Sequence, residues 1–299
     1  MVTRDRSPLP DDVVRRRIEL SESGVEIGLE DWGGDGPLAL LHHANGFCAS
    51  LWAPIAERLR DRFRVVAMDA RGHGESSLPR EGLRSEAFQW RVLADDLLAV
   101  AERLLVETGE SRIGLGLGHS FGGTLTLAAE ARRPGLYERI VLVDPVIISP
   151  EWEALRREEP SPLIEGARRR RQIWPDRELA RQLFSEKPVF ADWTPRALDL
   201  YVEEGLRDRP DGQVELKCPG EVEALIFEAS DSLEILDLAS RVMVPALLLW
   251  AQQGNFPREV YEELAAKMGA AEIVDVAAGH LIPMVDPELI IAQVLDFCA

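Results

Sequence analysis

The 299-residue sequence predicts an α/β protein, a doubly wound and mostly parallel sheet carrying a helical cap insertion. Short continuous runs rich in Val, Leu and Ile recur at residues 37–42, 63–68, 112–117, 139–143 and 245–250. Runs of that kind suit strands buried on both faces of a sheet. Between them, apolar residues fall at helical spacing, at 51–60, 85–107, 120–132 and 257–268. From 145 to 232 the alternation stops, and the chain becomes rich in Arg, Glu, Trp and Pro with helical spacing throughout.

Taken in order, residues 1–12 read as a mobile tail, charged and proline-containing. Residues 14–20 and 25–30 alternate around Ser21-Glu22-Ser23-Gly24 and predict a β-hairpin with one buried face. The strand and helix runs above make a core of 13–144 and 233–299, completed by an apolar strand at 271–276 and a last helix from about Asp286. Residues 145–232 then form an insertion after one core strand, packed over the sheet as a cap or lid. Segments of this type, mounted on a rigid scaffold, commonly shape binding sites.

Composition narrows the partners. Hydrophobic residues make up 46% of the chain, ample for a large core, and acids exceed bases to give a formal charge of -18. A surface that negative repels phosphate backbones and anionic headgroups, which argues against nucleic acid and membrane partners. The N-terminal residues lack an apolar stretch of signal-peptide type, and no run approaches the roughly twenty apolar residues of a membrane helix. Cys48, Cys218 and Cys298 are odd in number and widely spaced, so neither a disulfide framework nor a structural zinc is expected. The expectation is a reduced, cytoplasmic protein without a metal.

The chemistry centres on Ser120. A strand run leads directly into Gly118-His119-Ser120-Phe121-Gly122-Gly123, and an apolar helix follows. This is G-x-S-x-G in a strand–turn–helix setting, where the glycines let strand and helix approach and the turn exposes the serine oxygen. The helix N-terminus behind it favours developing negative charge. A serine nucleophile needs a base, and His280 lies on a loop after the last predicted strand, in the chain order serine then histidine. The amide of Phe121, next to the nucleophile, is one expected oxyanion donor. The second is sought in His43-Ala44-Asn45-Gly46-Phe47, where Asn45 is the first choice and Gly46 or Phe47 the alternatives. His43 is read as a brace for that loop.

Together these elements resemble the α/β-hydrolase superfamily over nearly the whole chain. The resemblance rests on His43-Ala44-Asn45-Gly46-Phe47 with Trp52, on Asp69-Ala70-Arg71-Gly72-His73-Gly74-Glu75-Ser76, on the Ser120 motif, on Asp144-Pro145 and on Gly279-His280 with Pro283. It implies an esterase- or lipase-like serine hydrolase with a cap and no cofactor, acting on a small-molecule ester or related acyl substrate; a binding protein on the same fold with weak catalysis, or a lactone, thioester or carbon–carbon bond hydrolase, is the alternative. It also shows a departure. The family's usual acid position, after the strand at 245–250, holds Gly254 within Gln253-Gly254-Asn255. The family's other solution places the acid at the end of the preceding strand, where Asp144 stands. Asp144 is therefore expected to orient His280, with Asn255, a water-assisted arrangement or another acid as alternatives.

Other residues are given lesser roles. Phe47, His119, Trp174 and Trp193 are candidates to touch substrate. Trp152, Trp174, Phe184, Phe190, Trp193, Tyr201 and Phe227 make the insertion aromatic and are read mostly as its own core. The run Arg168-Arg169-Arg170-Arg171 is read as a solvated helix face, with recognition of an acidic substrate as the alternative. Asp95 and Asp96 are expected to face the Arg71 loop and solvent.

Overall fold

The computed structural model describes residues 8–21, 23–149, 161–230 and 233–299. The first part of the expected tail, Glu22 of the hairpin turn and Trp152 of the aromatic set lie outside the described residues.

The alternating runs form an eight-stranded sheet in the order β1-β2-β4-β3-β5-β6-β10-β11. Its strands are β1 (Val14–Leu20), β2 (Val25–Gly33), β3 (Leu38–His42), β4 (Arg64–Met68), β5 (Leu115–His119), β6 (Ile140–Val143), β10 (Pro245–Gln253) and β11 (Ala270–Gly279). The first hairpin is antiparallel, β2 meets β4 antiparallel, and from β4 onward every pairing is parallel. Both faces of the central strands are apolar, which is why their sequences run unbroken. Leu38, Leu40, Val66, Met68, Ile140, Leu142 and Leu248 join one core. Their chain neighbours Ala39, Leu41, Val65, Ala67, Val141, Val143, Leu247 and Leu249 join the other. The period of two along each strand puts successive side chains on opposite faces. Helices α2 (Trp90–Thr108), α3 (Phe121–Arg132) and α9 (Arg258–Lys267) cover the first face. Helices α1 (Ala53–Leu59) and α11 (Pro287–Phe297) cover the second.

One strand differs from expectation in a way that matters for the site. The run at 112–117 predicted β5 too early; the strand runs from Leu115 to His119, with Ile113 making only an isolated bridge to Tyr137. The glycine alternation of this stretch hid its end, and pairing with β3 and β6 decides it: His42 pairs with Gly118, and His119 with Val143.

The segment inserted between β6 and β10 is not purely helical. It carries α4 (Pro162–Arg169), β7 (Ile173–Trp174), α5 (Arg177–Ser185), α6 (Pro195–Glu204), β8 (Leu206–Asp208), β9 (Val214–Leu216) and α7 (Gly220–Glu228), and a short helix α8 (Ile235–Leu238) follows. The three strands form a small antiparallel sheet, β7-β9-β8. Strands of two or three residues are too short to reveal a period of two, so a pattern reading misses them. Side-chain caps set its helix starts, Asp176 accepting from the Leu179 amide at 2.8 Å and Thr194 from the Ala197 amide at 3.2 Å. Among the described residues no helix is long and apolar enough to cross a membrane, and no group of three or more His, Cys, Asp or Glu is placed to hold a metal.

Candidate active site

Ser120 stands between β5 and α3 with φ +55° and ψ -123°, a backbone state that a side chain rarely adopts. Two close approaches explain the flanking glycines. A Cβ on Gly118 would lie 2.4 Å from the Gly122 carbonyl oxygen, and one on Gly122 would lie 2.4 Å from the His42 carbonyl oxygen. The turn is thus closed tightly against the end of β3. The Ser120 amide donates to the Val143 carbonyl at 2.8 Å, which ties the turn to the end of β6.

Asp144 follows immediately on β6, also at positive φ (+42°) and fully buried. Among the described non-glycine residues only Ser120, Asp144 and Glu234 adopt positive φ. Backbone strain concentrates where function fixes geometry. One carboxylate oxygen of Asp144 accepts from the Ala251 amide at 3.0 Å and from the Tyr261 hydroxyl at 2.8 Å. The other lies 2.5 Å from Nδ1 of His280. His280 is carried on the turn between β11 and α10 (Ile282–Val285), and its Nε2 lies 2.8 Å from the Ser120 hydroxyl. The structure therefore brings Ser120, His280 and Asp144 into one hydrogen-bonded line.

Asn255, weighed as a substitute for the acid, is exposed. Gly254 is next to the line in a telling way. A Cβ there would fall 2.7 Å from the Asp144 carboxylate. The two acid positions converge on one place in space, so an acid on β6 leaves no room for a side chain at 254.

The loop after β3 presents backbone amides, and their partners sort the candidates for the oxyanion donor. The Gly46 amide donates to Nε2 of His73 at 3.0 Å, and the Phe47 amide to the Ala44 carbonyl at 3.2 Å. Both are occupied, which favours the Asn45 amide over those alternatives. His43 Nδ1–H donates to the Ala44 carbonyl at 2.7 Å, while its Nε2 accepts from the Ala70 amide at 2.9 Å. Because the peptide unit is planar and trans, fixing the Ala44 carbonyl on one side aims the Asn45 N–H to the other. Phe121 begins α3, where an amide has no intrahelical acceptor, and its ring is packed between Trp90 and His42.

The residues proposed to touch substrate separate. His119 donates from Nε2 to the His280 main-chain carbonyl at 2.8 Å, so it holds the turn that carries His280. Burial and the neighbouring His280 push its pKa down to about 3, keeping it neutral. Phe47 packs against Trp193 and Tyr201 at 5.5 and 5.6 Å and, with His119 and Trp52, borders a cavity of only about 10 Å³. Trp193 is buried beside Phe47, whereas Trp174 packs on Phe184 inside the insertion's own core. A much larger groove of about 710 Å³ runs between β1 and α2, lined by Arg16, Arg17, Asp95 and Arg103, and none of the Ser120 line borders it.

Sequence reading passed over Tyr261, which holds the acid from α9. Its only signal was a tyrosine on the buried stripe Val260, Tyr261, Leu264 of an otherwise charged helix. Asp96 faces the Arg71 loop and Asp95 the solvent: Arg71 grips Asp96 through two bonds of 2.5 and 2.6 Å, and Asp95 pairs outside with Arg132. The arginine run is only partly a solvated face. Arg168 and Arg169 pair with surface glutamates, but Arg170 turns inward to Glu223 and Tyr201.

Known proteins share the fold that carries this site. The chain is 29% identical over 134 residues to the 2-(acetamidomethylene)succinate hydrolase of Mesorhizobium japonicum, a stretch covering 45% of this chain and 44% of that protein. The match therefore spans less than half the length of that relative. It is 24% identical over 279 residues to the uncharacterized hydrolase YugF of Bacillus subtilis, covering 92% of this chain and 94% of that one. The crystal structure of E-2-(acetamidomethylene)succinate hydrolase superposes with a TM-score of 0.79 at 20% identity, over 95% of this chain and 98% of that chain. The model of the alpha/beta hydrolase family matches residues 39–293, and the chain belongs to that family.

Proposed function

We propose that this protein is a serine hydrolase that cleaves a carboxylic ester of a small molecule through an acyl-enzyme on Ser120. The observation that carries the reading is the unbroken line from the Asp144 carboxylate through His280 to the Ser120 hydroxyl, with bonds of 2.5 and 2.8 Å. In this reading the Ser120 oxygen attacks the carbonyl carbon and its proton passes to His280 Nε2. Asp144 holds the ring and stabilises the imidazolium that forms. The negative charge on the carbonyl oxygen is met by the amides of Asn45 and Phe121. His280 then gives its proton to the leaving alcohol, and a water activated by the same imidazole releases the acid. No cofactor is required by this sequence of steps.

The same relay serves other acyl groups, and the leaving group is set by the walls around Ser120, not by the relay. The similarity to a hydrolase named for an acetamidomethylene-bearing succinate makes an amide a natural member of the test panel. The segment at 145–232 is proposed as the cap, with Phe47 and Trp193 as walls of the acyl pocket. A binding protein on the same fold is disfavoured, since Asp144 stands at His280 although the usual acid position holds Gly254.

The test is turnover of short p-nitrophenyl esters, a thioester and an amide, together with labelling by a fluorophosphonate probe. Wild-type protein should be labelled at Ser120, and Ser120→Ala should lose labelling and at least about a thousandfold in rate. Equal turnover by the variant would sink the assignment. Labelling of Ser120 with turnover of the thioester or amide alone would keep the nucleophile and move the substrate class.

A further inference from the structure

The loop that carries the second oxyanion donor is held from two sides, and one of them belongs to the inserted segment. On the core side, His43 fixes the Ala44 carbonyl and His73 accepts from the Gly46 amide. On the other side, the Tyr201 hydroxyl of α6 donates to the Gly46 carbonyl at 3.3 Å. The Asn45 side-chain amide donates to the main-chain carbonyl of Glu223 on α7 at 2.9 Å. The Glu223 carboxylate lies so close over Gly46 that a Cβ there would fall 2.8 Å from it, and Gly46 is also at φ +82°. Behind both residues stands Arg170, half-buried in spite of its place in a run of arginines. It donates to the Glu223 carboxylate and, at 2.8 Å, to the Tyr201 oxygen. A hydroxyl that accepts from a cation is polarised and donates its own proton better.

Three consecutive peptide planes surround the Asn45 donor, and each takes one side-chain bond, the last also being tied through the Phe47 amide to the Ala44 carbonyl. His43 and His73 of the core hold the planes joining residues 44–45 and 45–46, while Tyr201 of the insertion holds that joining 46–47. Gly46 is the soft joint in this series, since a glycine rotates more freely than any other residue. The geometry points to Tyr201, Arg170 and Glu223 as positioning residues for the oxyanion donor, so that the inserted segment completes the catalytic loop as well as covering it. This rests on the reading of Ser120 as nucleophile and of the Asn45 amide as donor.

The experiment uses the full chain with p-nitrophenyl butyrate and a fluorophosphonate probe. Tyr201→Phe keeps the ring and its packing on Phe47 but removes the bond to Gly46. It should lower kcat by about tenfold with KM changed by less than about twofold, and slow the labelling of Ser120 by the same factor. The pH profile should keep its shape, and amide hydrogen exchange across residues 44–47 should quicken. Arg170→Gln should do the same, and the double variant should lose no more than the larger single loss, because both act through one loop. Unchanged kcat and labelling in Tyr201→Phe, with wild type labelled at Ser120, overturns the clamp alone. Failure of wild type to be labelled overturns the nucleophile reading and the clamp with it. A rise in KM at constant kcat, or failure of both variants to fold, makes these residues pocket wall or structural props and overturns the proposal.

Discussion

The core and the inserted segment hold their polar groups by different means. In the core, the groups around Ser120 lean heavily on backbone: Asp144 on the Ala251 amide beside the Tyr261 hydroxyl, His119 on the His280 carbonyl, and His43 on the Ala44 carbonyl and the Ala70 amide. In the insertion, arginines pair with carboxylates at the surface, as in Arg168 with Glu221 and Glu228 and Arg181 with Asp199. Exposed pairs of that kind contribute only about 0–1 kcal/mol each. The insertion instead coheres through Trp174, Phe184, Phe190, Trp193 and Tyr201, whose ring contacts run from 4.8 to 5.9 Å. In the function proposed above, the chemistry sits where main chain helps dictate position, and the binding surface sits where side chains can exchange for one another.

The sharpest way to break this contrast is at the acid. Asp144→Asn should reduce kcat by about 10³–10⁴-fold by presenting the wrong partner to His280 Nδ1, whereas Asn255→Ala should change it by less than about twofold. The reverse ranking in steady-state assays would transfer the acid role to the later loop. Next comes the turn. Gly122→Ala places a carbon against the His42 and His43 carbonyls, which are backbone and cannot swing aside. We expect kcat to fall by about a hundredfold through displacement of the oxyanion loop. A variant with full kcat would show that the loop has slack there.

The smallest effect lies at the seam between the two regions. Glu30 on β2 is buried, accepts from Ser50 at 2.5 Å, and lies near Asp69, Arg15 and Glu204 of α6, to which Arg15 also binds at 2.7 Å. Burial first, and then the Asp69 charge, pushes its pKa from 4.5 up to about 8. The folded chain then keeps a proton that the unfolded chain gives up, so this group makes stability fall as pH rises from about 4.5 to about 8. Asp69, pushed up to about 6, acts with the same sign at lower pH. Glu30→Gln should flatten the decline, its melting temperature gaining on wild type between pH 6 and pH 8. Parallel melting curves would show that Glu30 is ionised in the fold.

Much of this was legible without coordinates. The unbroken apolar runs became strands buried on both faces; Ser120 and His280 were named from motif and order and Asp144 from the family resemblance, and the three lie at hydrogen-bonding distance. What failed was short or non-local. The strands β7, β8 and β9 carry too few residues to show a period, and the end of β5 is set by its neighbours. His119 follows the strand motif yet spends its ring on the His280 turn far along the chain, a partnership no local pattern encodes. Tyr261 and Arg170 were invisible for the same reason, one on an amphipathic helix and the other in a charged run.

The sequence by itself determined the strained turn at Ser120, because only glycine at 118 and 122 allows strand and helix to close on it. It also determined the apolar periodicity that builds the sheet. Only the tertiary structure decided which acid meets His280 and which amides of the loop after β3 are already bonded. Those choices depend on whether carboxylate, imidazole and peptide planes from four separate strands and their loops arrive at bonding distance. Bond directions across a sheet edge are a property of packing, and the order of residues along the chain does not contain them.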